Sequence, residues 1–281
     1  MHVKKRGSYF YLQHSFRLNG KIVTREKYLG KSLPSDLRIY EKALLAEMFS
    51  EALKGKLDKI EKEFQKEYKR LSASEKERYL NDLIIRFTYN TNAIEGSKIT
   101  LPETNELLRE GLSPAKPFRD VHETIAHANL LKSILLLPQR PTEKIILNWH
   151  KELFTQTKHD IAGKYRTLLV RVGSYLAPDW QDVPKLMNKM FSWFVRADEH
   201  PLLVAARLHY RFEKIHPFAD GNGRVGRLLL ASALWNAGVP LLVIEFSKRK
   251  SYYRALQSSE ERFVQYVVRR YLKEHADYLK E

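Results

Sequence analysis

The stretch HPFADGNGRVGR, residues 216–227, decides how the rest of the sequence is interpreted. An apolar face at helical spacing precedes it and another follows it, so we expect a glycine-rich loop between two buried helices. The loop leads directly into the amino end of the second helix, where free backbone N–H groups and the helix dipole attract anions. The stretch therefore predicts a phosphate-binding loop.

Four residues of this stretch suit phosphate binding. Gly221 and Gly223 allow the backbone to come close to a ligand. Arg224 and Arg227 lie three residues apart on the first turn of the helix, where each guanidinium can hold a phosphate through two donors. Paired arginines also commonly bind surface carboxylates, and a glycine-rich segment can be a simple turn.

Two more residues add acid–base and metal chemistry to the loop. Asp220 offers a hard carboxylate, which suits Mg²⁺. His216 titrates near neutral pH and is therefore a candidate general base. A lone histidine after a helix is more often structural, but the combination of these groups in one stretch favours a nucleotide site.

The stretch resembles the signature of the Fic family, His-x-Phe-x-Asp/Glu-Gly-Asn-Gly-Arg-x-x-Arg, at all eight specified positions. The resemblance implies transfer of AMP from ATP, as substrate, to a Ser, Thr or Tyr hydroxyl of a target protein. It implies that His216 deprotonates the hydroxyl, that Asp220 holds Mg²⁺ as cofactor, and that Phe218 anchors the loop in the core. The implied ATP- and phosphate-binding residues are Gly221, Asn222, Gly223, Arg224 and Arg227. Related Doc-type kinases usually carry Lys at the position of Gly223, so the resemblance favours AMP transfer.

A second segment, TNAIEG at residues 91–96, resembles the inhibitory motif of the same family. The motif begins at Thr91, and its Glu95 would pair with Arg227 and exclude the γ-phosphate of ATP. ATP would then bind in a pose unsuited to in-line attack. The resemblance implies the subclass whose inhibitory helix, here near residues 80–96, precedes the motif. The alternative is that Glu95 is an ordinary acid at a helix end.

The resemblance to the family covers roughly residues 80–260 in all, and two further segments contribute to it. Tyr252 and Tyr253 begin a segment that resembles the lining of the adenine pocket, although Ser258-Ser259-Glu260 stands where several members carry Asn. Residues 165–173 are β-like and match the position of the family's flap, a hairpin that aligns the target segment by strand addition.

The remaining pattern is mostly helical. Ser74 with Glu77 and Thr100 with Glu103 have the spacing of capping boxes at helix starts. Residues 1–35 instead alternate as strands do, with Asn19-Gly20 as a hairpin turn. We therefore expect a mostly α fold, a Fic-type helical bundle with a β-hairpin flap, preceded by a small basic β-hairpin element.

The expected domains are a basic β appendage at residues 1–35, a helical connector at 36–75 and the Fic helical domain at 76–281. The net charge of +16 is concentrated at the front, because residues 1–35 hold eight bases and one acid. Such a surface attracts polyanions, so either nucleic acid or an acidic target protein is an expected partner of this element; a merely soluble basic face is the alternative.

Composition excludes several other classes. The absence of cysteine excludes disulfides, thiolate metal sites and cysteine nucleophiles, and fits either a reducing cytoplasm or a hot habitat. No apolar run reaches the ~18 residues of a membrane span, and the amino terminus lacks the apolar core of a signal peptide. We therefore expect a cytoplasmic protein without membrane association.

The leading hypothesis is a protein adenylyltransferase autoinhibited by Glu95, acting on an unidentified target protein or on itself, with a homodimer as a further expectation. Alternatives within the enzyme class are removal of AMP and transfer of another nucleotide or phosphate-linked group. An alternative of a different class is a nucleic-acid-binding regulator that senses ATP.

Overall fold

The structure, a computed structural model, describes residues 1–18, 21–34, 36–173 and 175–280. These residues form two compact units. One contains Met1–Glu63 and the carboxyl-terminal residues from Asp277, and the other contains Phe64–Ala276.

The first unit is built on a three-stranded antiparallel sheet in the order β1-β2-β3. Its strands are β1 (His2–Arg6), β2 (Tyr9–Leu18) and β3 (Lys21–Gly30). The predicted basic β element is therefore confirmed, with three strands. The predicted turn at Asn19-Gly20 lies outside the described residues.

One face of this sheet is covered by the first part of helix α1 (Leu37–Arg70). Leu12 of β2, Leu29 of β3 and Leu44 of α1 are buried together in a small apolar cluster. Because alternate residues of a strand point to opposite faces, the neighbouring residues of β2 and β3 form the other face of the sheet.

The second unit is helical, and its helices follow the tail of α1. They are α2 (Ala73–Ile94), α3 (Leu101–Glu110), α4 (Phe118–Leu136), α5 (Glu143–Phe154), α6 (Val183–Arg196), α7 (Pro201–Ile215), α8 (Asn222–Asn236), α9 (Arg249–Leu256) and α10 (Glu260–Glu274). A short hairpin, β4 (Arg171–Val172) with β5 (Tyr175–Leu176), lies between α5 and α6. The predicted mostly α fold with a hairpin is confirmed.

Helix starts follow the capping chemistry of the sequence with one difference. Thr100 and Glu103 form the predicted capping box of α3. The prediction of Ser74 as the cap of α2 is wrong, because Ser72 and Glu75 form that box two residues earlier. Ser72 N donates to Glu75 Oε2 at 2.7 Å, so the helix begins at Ala73 and Ser74 lies inside its first turn.

Helices α7 and α8 form the centre of the second unit. Their facing side chains, among them Leu208, Phe212, Leu228 and Leu229, are completely buried. This apolar contact fixes the two helices against each other and thereby places the loop that joins them.

The predicted connector, residues 36–75, is largely the single helix α1, and the division of the chain into two units falls within this helix, after Glu63. The predicted domain boundaries at 35/36 and 75/76 therefore differ from this division, and the domain roles stay predictions. In the described ranges, none of the helices combines the length and apolar character needed to cross a bilayer.

Candidate active site

The motif loop, residues 216–221, joins α7 to α8 in a conformation fixed by its own contacts. His216 ends α7 in the left-handed region (φ 51°), which is uncommon for a residue other than glycine, and its N–H donates to Phe212 O at 2.9 Å. Phe218 is completely buried. The Asn222 amide accepts from Phe218 N at 2.9 Å and donates to Phe218 O at 2.8 Å, which closes the loop. The side chain of Asn222 thus binds the loop itself.

The imidazole of His216 is mostly buried, with 15% of its side chain exposed. Burial lowers the pKa of His216, and this outweighs the opposing effect of the Glu213 carbonyl 3.4 Å from Nδ1. The Glu213 carboxyl, 3.9 Å from Nδ1, is itself buried, and burial raises its pKa to about 8. Both groups are therefore uncharged near pH 7, and the imidazole is free to accept a proton.

Arg227 lies on the first turns of α8 and is almost fully buried. Its Nη2 donates to Glu95 Oε1 at 2.6 Å and to the backbone oxygen of Thr91 at 3.2 Å. Burial alone lowers the pKa of Arg227, but the charge of Glu95 outweighs it and keeps the pKa raised. The structure thus brings Arg227 together with Thr91 and Glu95, the first residue and the acidic residue of the second motif.

The Glu95 carboxylate lies against the amino end of α8, directly beside Gly223. A Cβ atom at residue 223 would overlap Glu95 Oε1 and would lie 3.1 Å from Arg227 Nη1. Since Glu95 caps the carboxyl end of α2, its side chain reaches this place from a neighbouring helix. The space at the amino end of α8 that suits a phosphate is therefore filled by a carboxylate.

Arg224, the other arginine of the motif, is also buried and has an acidic partner. Its Nη1 donates to the buried carboxylate of Glu123 on α4. Its guanidinium lies 4.7 Å from the ring centre of Phe154, and Nη2 is 3.7 Å from Asp220 Oδ1. Arg224 is thereby held at the edge of the motif loop next to Asp220.

Asp220 is the most exposed charged group of the motif loop, with 49% of its side chain accessible. Lys158 Nζ pairs with its Oδ2. Burial raises the pKa of Asp220, but the hydrogen bond from Lys158 and the charge of Arg224 outweigh this and lower it. Gly221 N donates to Oδ1 at 2.5 Å, which aims the carboxylate at the amino end of α8.

The residues around Asp220 fit Mg²⁺ only when a substrate completes the site. The described residues contain no group of three or more His, Cys, Asp or Glu side chains that could hold a metal ion by themselves. Mg²⁺ commonly takes one or two carboxylates together with substrate phosphates and water. An ionised, accessible Asp220 can supply the carboxylate ligand for Mg²⁺ once Lys158 has moved away from Oδ2.

Comparison with known proteins agrees with this geometry. Residues 140–234, which include the motif loop and the helices on both sides of it, match the Fic/DOC family. The chain carries a Fic domain. Protein adenylyltransferase Fic of Nematostella vectensis is 30% identical over 226 residues, which are 76% of this chain and 53% of the relative. The chain thus spans about half the length of this curated relative.

Solved structures show the same architecture. Fic-1 from C. elegans has a TM-score of 0.70 at 25% identity, covering 88% of this chain and 78% of that one. A Fic domain containing signaling protein from Bacteroides thetaiotaomicron has a TM-score of 0.71 at 24% identity, covering 80% of this chain and 97% of that one. The second likeness concerns the fold alone.

A histidine that the motifs do not name supports the loop of this Fic domain. His150 Nδ1 accepts from Gly163 N at 2.9 Å, so Nε2 carries the proton and donates to the Asp220 carbonyl at 3.0 Å. Its ring stacks on Phe218 at 3.9 Å. Burial lowers the pKa of His150 to about 4, which keeps the ring neutral in this role.

Arg166 was also missed from the sequence, and it connects the motif loop to the segment before the hairpin. It is 3% exposed, and its guanidinium donates to the carbonyls of His216 at 2.8 Å, Leu168 at 2.8 Å and Pro178 at 2.6 Å. An arginine inside a β-like apolar run was the available signal, but Arg171 of the same run gives that signal equally. Since the bonded carbonyls come from different segments, Arg166 fixes the hairpin region relative to the catalytic histidine candidate.

The hairpin lies later in the chain than the flap predicted at residues 165–173. Its paired residues are Arg171 with Leu176 and Val172 with Tyr175. The prediction therefore placed the flap too early, because Arg166 N donates to Pro217 O and Leu168 O accepts from the Arg166 guanidinium. Bonding across the hairpin begins only at Val170, whose carbonyl accepts from Ala177 N at 3.0 Å. The hairpin leaves Leu176 51% exposed, so an apolar edge is accessible there.

The two tyrosines predicted for the adenine pocket lie at different depths. Tyr252 is completely buried, and its hydroxyl bonds to His209 Nε2 at 2.8 Å and lies 3.5 Å from Arg227 Nη1. Tyr253 is 37% exposed, and its hydroxyl is 3.4 Å from the carbonyl of Ile94. Tyr252 therefore contacts the guanidinium of Arg227 from within the core, while the ring of Tyr253 is accessible beside the carboxyl end of α2. Contact of either ring with adenine stays a prediction.

Proposed function

We propose that this protein is an adenylyltransferase that moves AMP from ATP to a Ser, Thr or Tyr hydroxyl of a target protein. The observation that carries the proposal is the convergence of a neutral histidine, an accessible carboxylate and two buried arginines on the amino end of one helix. The name of the Nematostella relative, Protein adenylyltransferase Fic, supports the same reaction class.

In the proposed reaction, His216 acts as the general base. The hydroxyl oxygen of the target bonds to the α-phosphorus of ATP while the bond from that phosphorus to the β-phosphate oxygen breaks. The hydroxyl proton passes to His216, and pyrophosphate leaves. The lowered pKa of His216 keeps the imidazole unprotonated at neutral pH, so it is ready to accept this proton.

The triphosphate is bound by charges and by the backbone of α8. The N–H groups at the amino end of α8 and the guanidinium groups of Arg224 and Arg227 face the phosphates. Asp220 would hold Mg²⁺, which would neutralise charge on the phosphate oxygens. Arg166 keeps the hairpin at a fixed position relative to His216, so that a target segment added to the hairpin edge presents its hydroxyl to the base.

Glu95 holds the enzyme in a weakly active state in this proposal. Its carboxylate fills the space beside Gly223 and pairs with Arg227, so it both repels a phosphate and occupies the arginine that should bind it. ATP that enters the site must either displace Glu95 or adopt another pose, and in-line attack depends on the pose.

A second candidate reaction, hydrolytic removal of AMP from a modified protein, rests on the same carboxylate. The side chain of Glu95 is 29% exposed, and an exposed carboxylate next to a phosphate site could orient a water molecule for attack. The two reactions require opposite effects of Glu95, because transfer is inhibited by it and hydrolysis depends on it.

Labelled ATP tests the proposal. The wild type, Glu95→Gly and Glu95→Gly with His216→Ala are each incubated with Mg²⁺ and ATP labelled in either the α- or the γ-phosphate, and modified proteins are identified by mass spectrometry. We expect α-label on protein with Glu95→Gly and none after His216→Ala. Label transferred only from the γ-phosphate would identify phosphoryl transfer instead. Loss of AMP from pre-modified protein by the wild type, but not by Glu95→Gly, would favour the hydrolytic reaction.

A further inference from the structure

The exposed face of the three-stranded sheet carries a cluster of tyrosines. Tyr9, Tyr11 and Tyr28 lie side by side, with ring centres 5.9 Å apart for Tyr9 and Tyr28 and 5.5 Å apart for Tyr11 and Tyr28. Tyr9 is 40% exposed and Tyr28 is 53% exposed. We call these three residues the tyrosine face.

The tyrosine face is opposite the buried side of the sheet. Tyr11 pairs with Tyr28 across β2 and β3, whereas the alternate residues Leu12 and Leu29 are buried against α1. Because α1 already covers the apolar side, the sheet does not need exposed aromatic rings for its own core. Neighbouring aromatic rings left accessible on a sheet instead indicate a binding surface.

Cations surround these rings. Lys4 is the cross-strand partner of Tyr11, so both side chains lie on this face. The guanidinium of Arg6 is 5.4 Å from the ring centre of Tyr11, and Nζ of Lys31 is 5.8 Å from that of Tyr9. Glu26 is the sole acid of residues 1–35, and Arg6 neutralises it with bonds of 2.9 and 2.5 Å. The face therefore combines aromatic surface with net positive charge.

We propose that the tyrosine face binds single-stranded nucleic acid. Unstacked bases can lie on the tyrosine rings, while Lys4 and Lys31 attract the phosphates. A duplex buries the flat sides of its bases and would meet only the charges. An acidic protein segment would likewise use the charges but not the row of rings. This binding activity is independent of the AMP transfer proposed above.

Fluorescence anisotropy with the full chain tests the proposal. The probes are labelled twelve-nucleotide oligo-dT and oligo-U, a duplex DNA of the same length, and heparin as a polyanion without bases. We expect the single strands to bind at least tenfold more tightly than the duplex, because each stacked base adds roughly 5- to 150-fold in affinity. The RNA and DNA strands distinguish which sugar the site prefers.

Matched substitutions separate stacking from charge. Tyr9→Leu with Tyr28→Leu should lower single-strand affinity by roughly tenfold or more without changing its salt dependence, whereas Tyr9→Phe with Tyr28→Phe should retain binding. Lys4→Gln should weaken binding of every polyanion and reduce the salt slope by about one. Phe118→Leu, at an exposed aromatic residue of α4, should change nothing.

Two results would overturn the proposal. One is equal affinity of the folded wild type for single strand, duplex and heparin, which would leave only a basic surface. The other is unchanged single-strand affinity in the Leu variant, with circular dichroism confirming that its sheet is intact. If the double Leu variant unfolds, the single change Tyr28→Leu, at the more exposed of the two rings, replaces it. Unchanged single-strand affinity in that folded variant would likewise overturn the proposal.

Discussion

Glu95 Oε1 lies 2.6 Å from Arg227 Nη2, and the same oxygen fills the space that a side chain at Gly223 would need. One carboxylate thus contacts both Arg227 and the amino end of α8, the two features that the proposed function assigns to phosphate binding. Its removal should change the charge, the available volume and the stability of this site at once, and the three effects can be measured separately.

Glu95→Gly should raise the rate of AMP transfer by at least about tenfold, since a 1.4 kcal/mol change in barrier is a factor of ten and a partly buried charge contributes several kcal/mol. The measurement is α-label incorporated per minute into the protein itself and into added proteins. Glu77→Gly, the same change at an exposed position of α2, is the control for loosening of the helix and should have no effect.

The gain should depend on Arg227. Arg227→Met in the Glu95→Gly protein should return transfer to a low level while leaving no buried charge unpaired, because the phosphate then lacks its partner. A double variant that folds and stays fully active would mean that Glu95 acts by blocking space and not through Arg227.

Gly223→Ala should have opposite effects on stability in two backgrounds. In the wild type the new Cβ must push the Glu95 carboxylate away from Arg227, so the melting temperature should fall. In Glu95→Gly the overlap with the carboxylate is gone and the nearest remaining atom to the Cβ is Arg227 Nη1, at 3.1 Å, whose side chain can then shift. Alanine in place of glycine should therefore add up to about 0.5–1 kcal/mol. The gain corresponds to roughly 1–4 °C by differential scanning calorimetry. If Gly223→Ala changed the melting temperature in the same direction in both backgrounds, Glu95 would not occupy this space in solution.

Transfer by Glu95→Gly should be flat from pH 8 to pH 7 and should fall at lower pH. Burial lowers the pKa of His216 below its usual 6.5, so the base stays unprotonated until the pH drops through that lowered value. The charge of Glu95 raises the pKa of His216, so its removal moves the loss of activity to still lower pH. An inflection above pH 7 in kcat/KM would contradict this assignment of the base.

Lys158→Met should increase metal affinity by a few-fold, about fivefold at most. Lys158 pairs with Asp220, and a partly exposed ion pair of this kind contributes up to about 1 kcal/mol that a metal must overcome. Titration of Mn²⁺ in the presence of ATP, followed by electron paramagnetic resonance, measures this directly. Lys164→Met removes a charge from an exposed lysine six residues further along the chain, and an equal shift in that variant would indicate a general electrostatic effect.

The sequence predicted what depends on local spacing. The helices around residues 216–227 follow from apolar periodicity, and the loop between them follows from its glycines. The pairing of Glu95 with Arg227 came from family resemblance and is present in the structure, although its inhibitory effect stays a prediction. The cap of α2 was placed wrongly because Ser72 and Ser74 are each followed by a glutamate three residues later, and spacing alone cannot choose between them.

The residues that support the site were missed for a different reason. Lys158 is 62 residues from Asp220, and Glu123 is 101 residues from Arg224. Neither belongs to a motif, and only the packing of helices brings each to its partner. Arg166 likewise bonds to carbonyl groups, which every residue possesses, so no pattern of residue types could identify its partners.

Glu95 caps α2 directly after its last helical residue, Ile94, so its backbone lies at a helix end. Its N–H bonds back to Asn92 O at 3.1 Å and Ser97 N bonds to the same carbonyl at 3.0 Å, so these terminal backbone bonds and the ion pair with Arg227 hold the carboxylate in place. Helix ends fray far more readily than helix centres open. Unwinding of this last turn, without movement of the rest of the helix, would carry the carboxylate away from Gly223 and Arg227. A partner that binds residues 95–97 would then open the space at the amino end of α8 and, under the proposed function, raise the rate of AMP transfer.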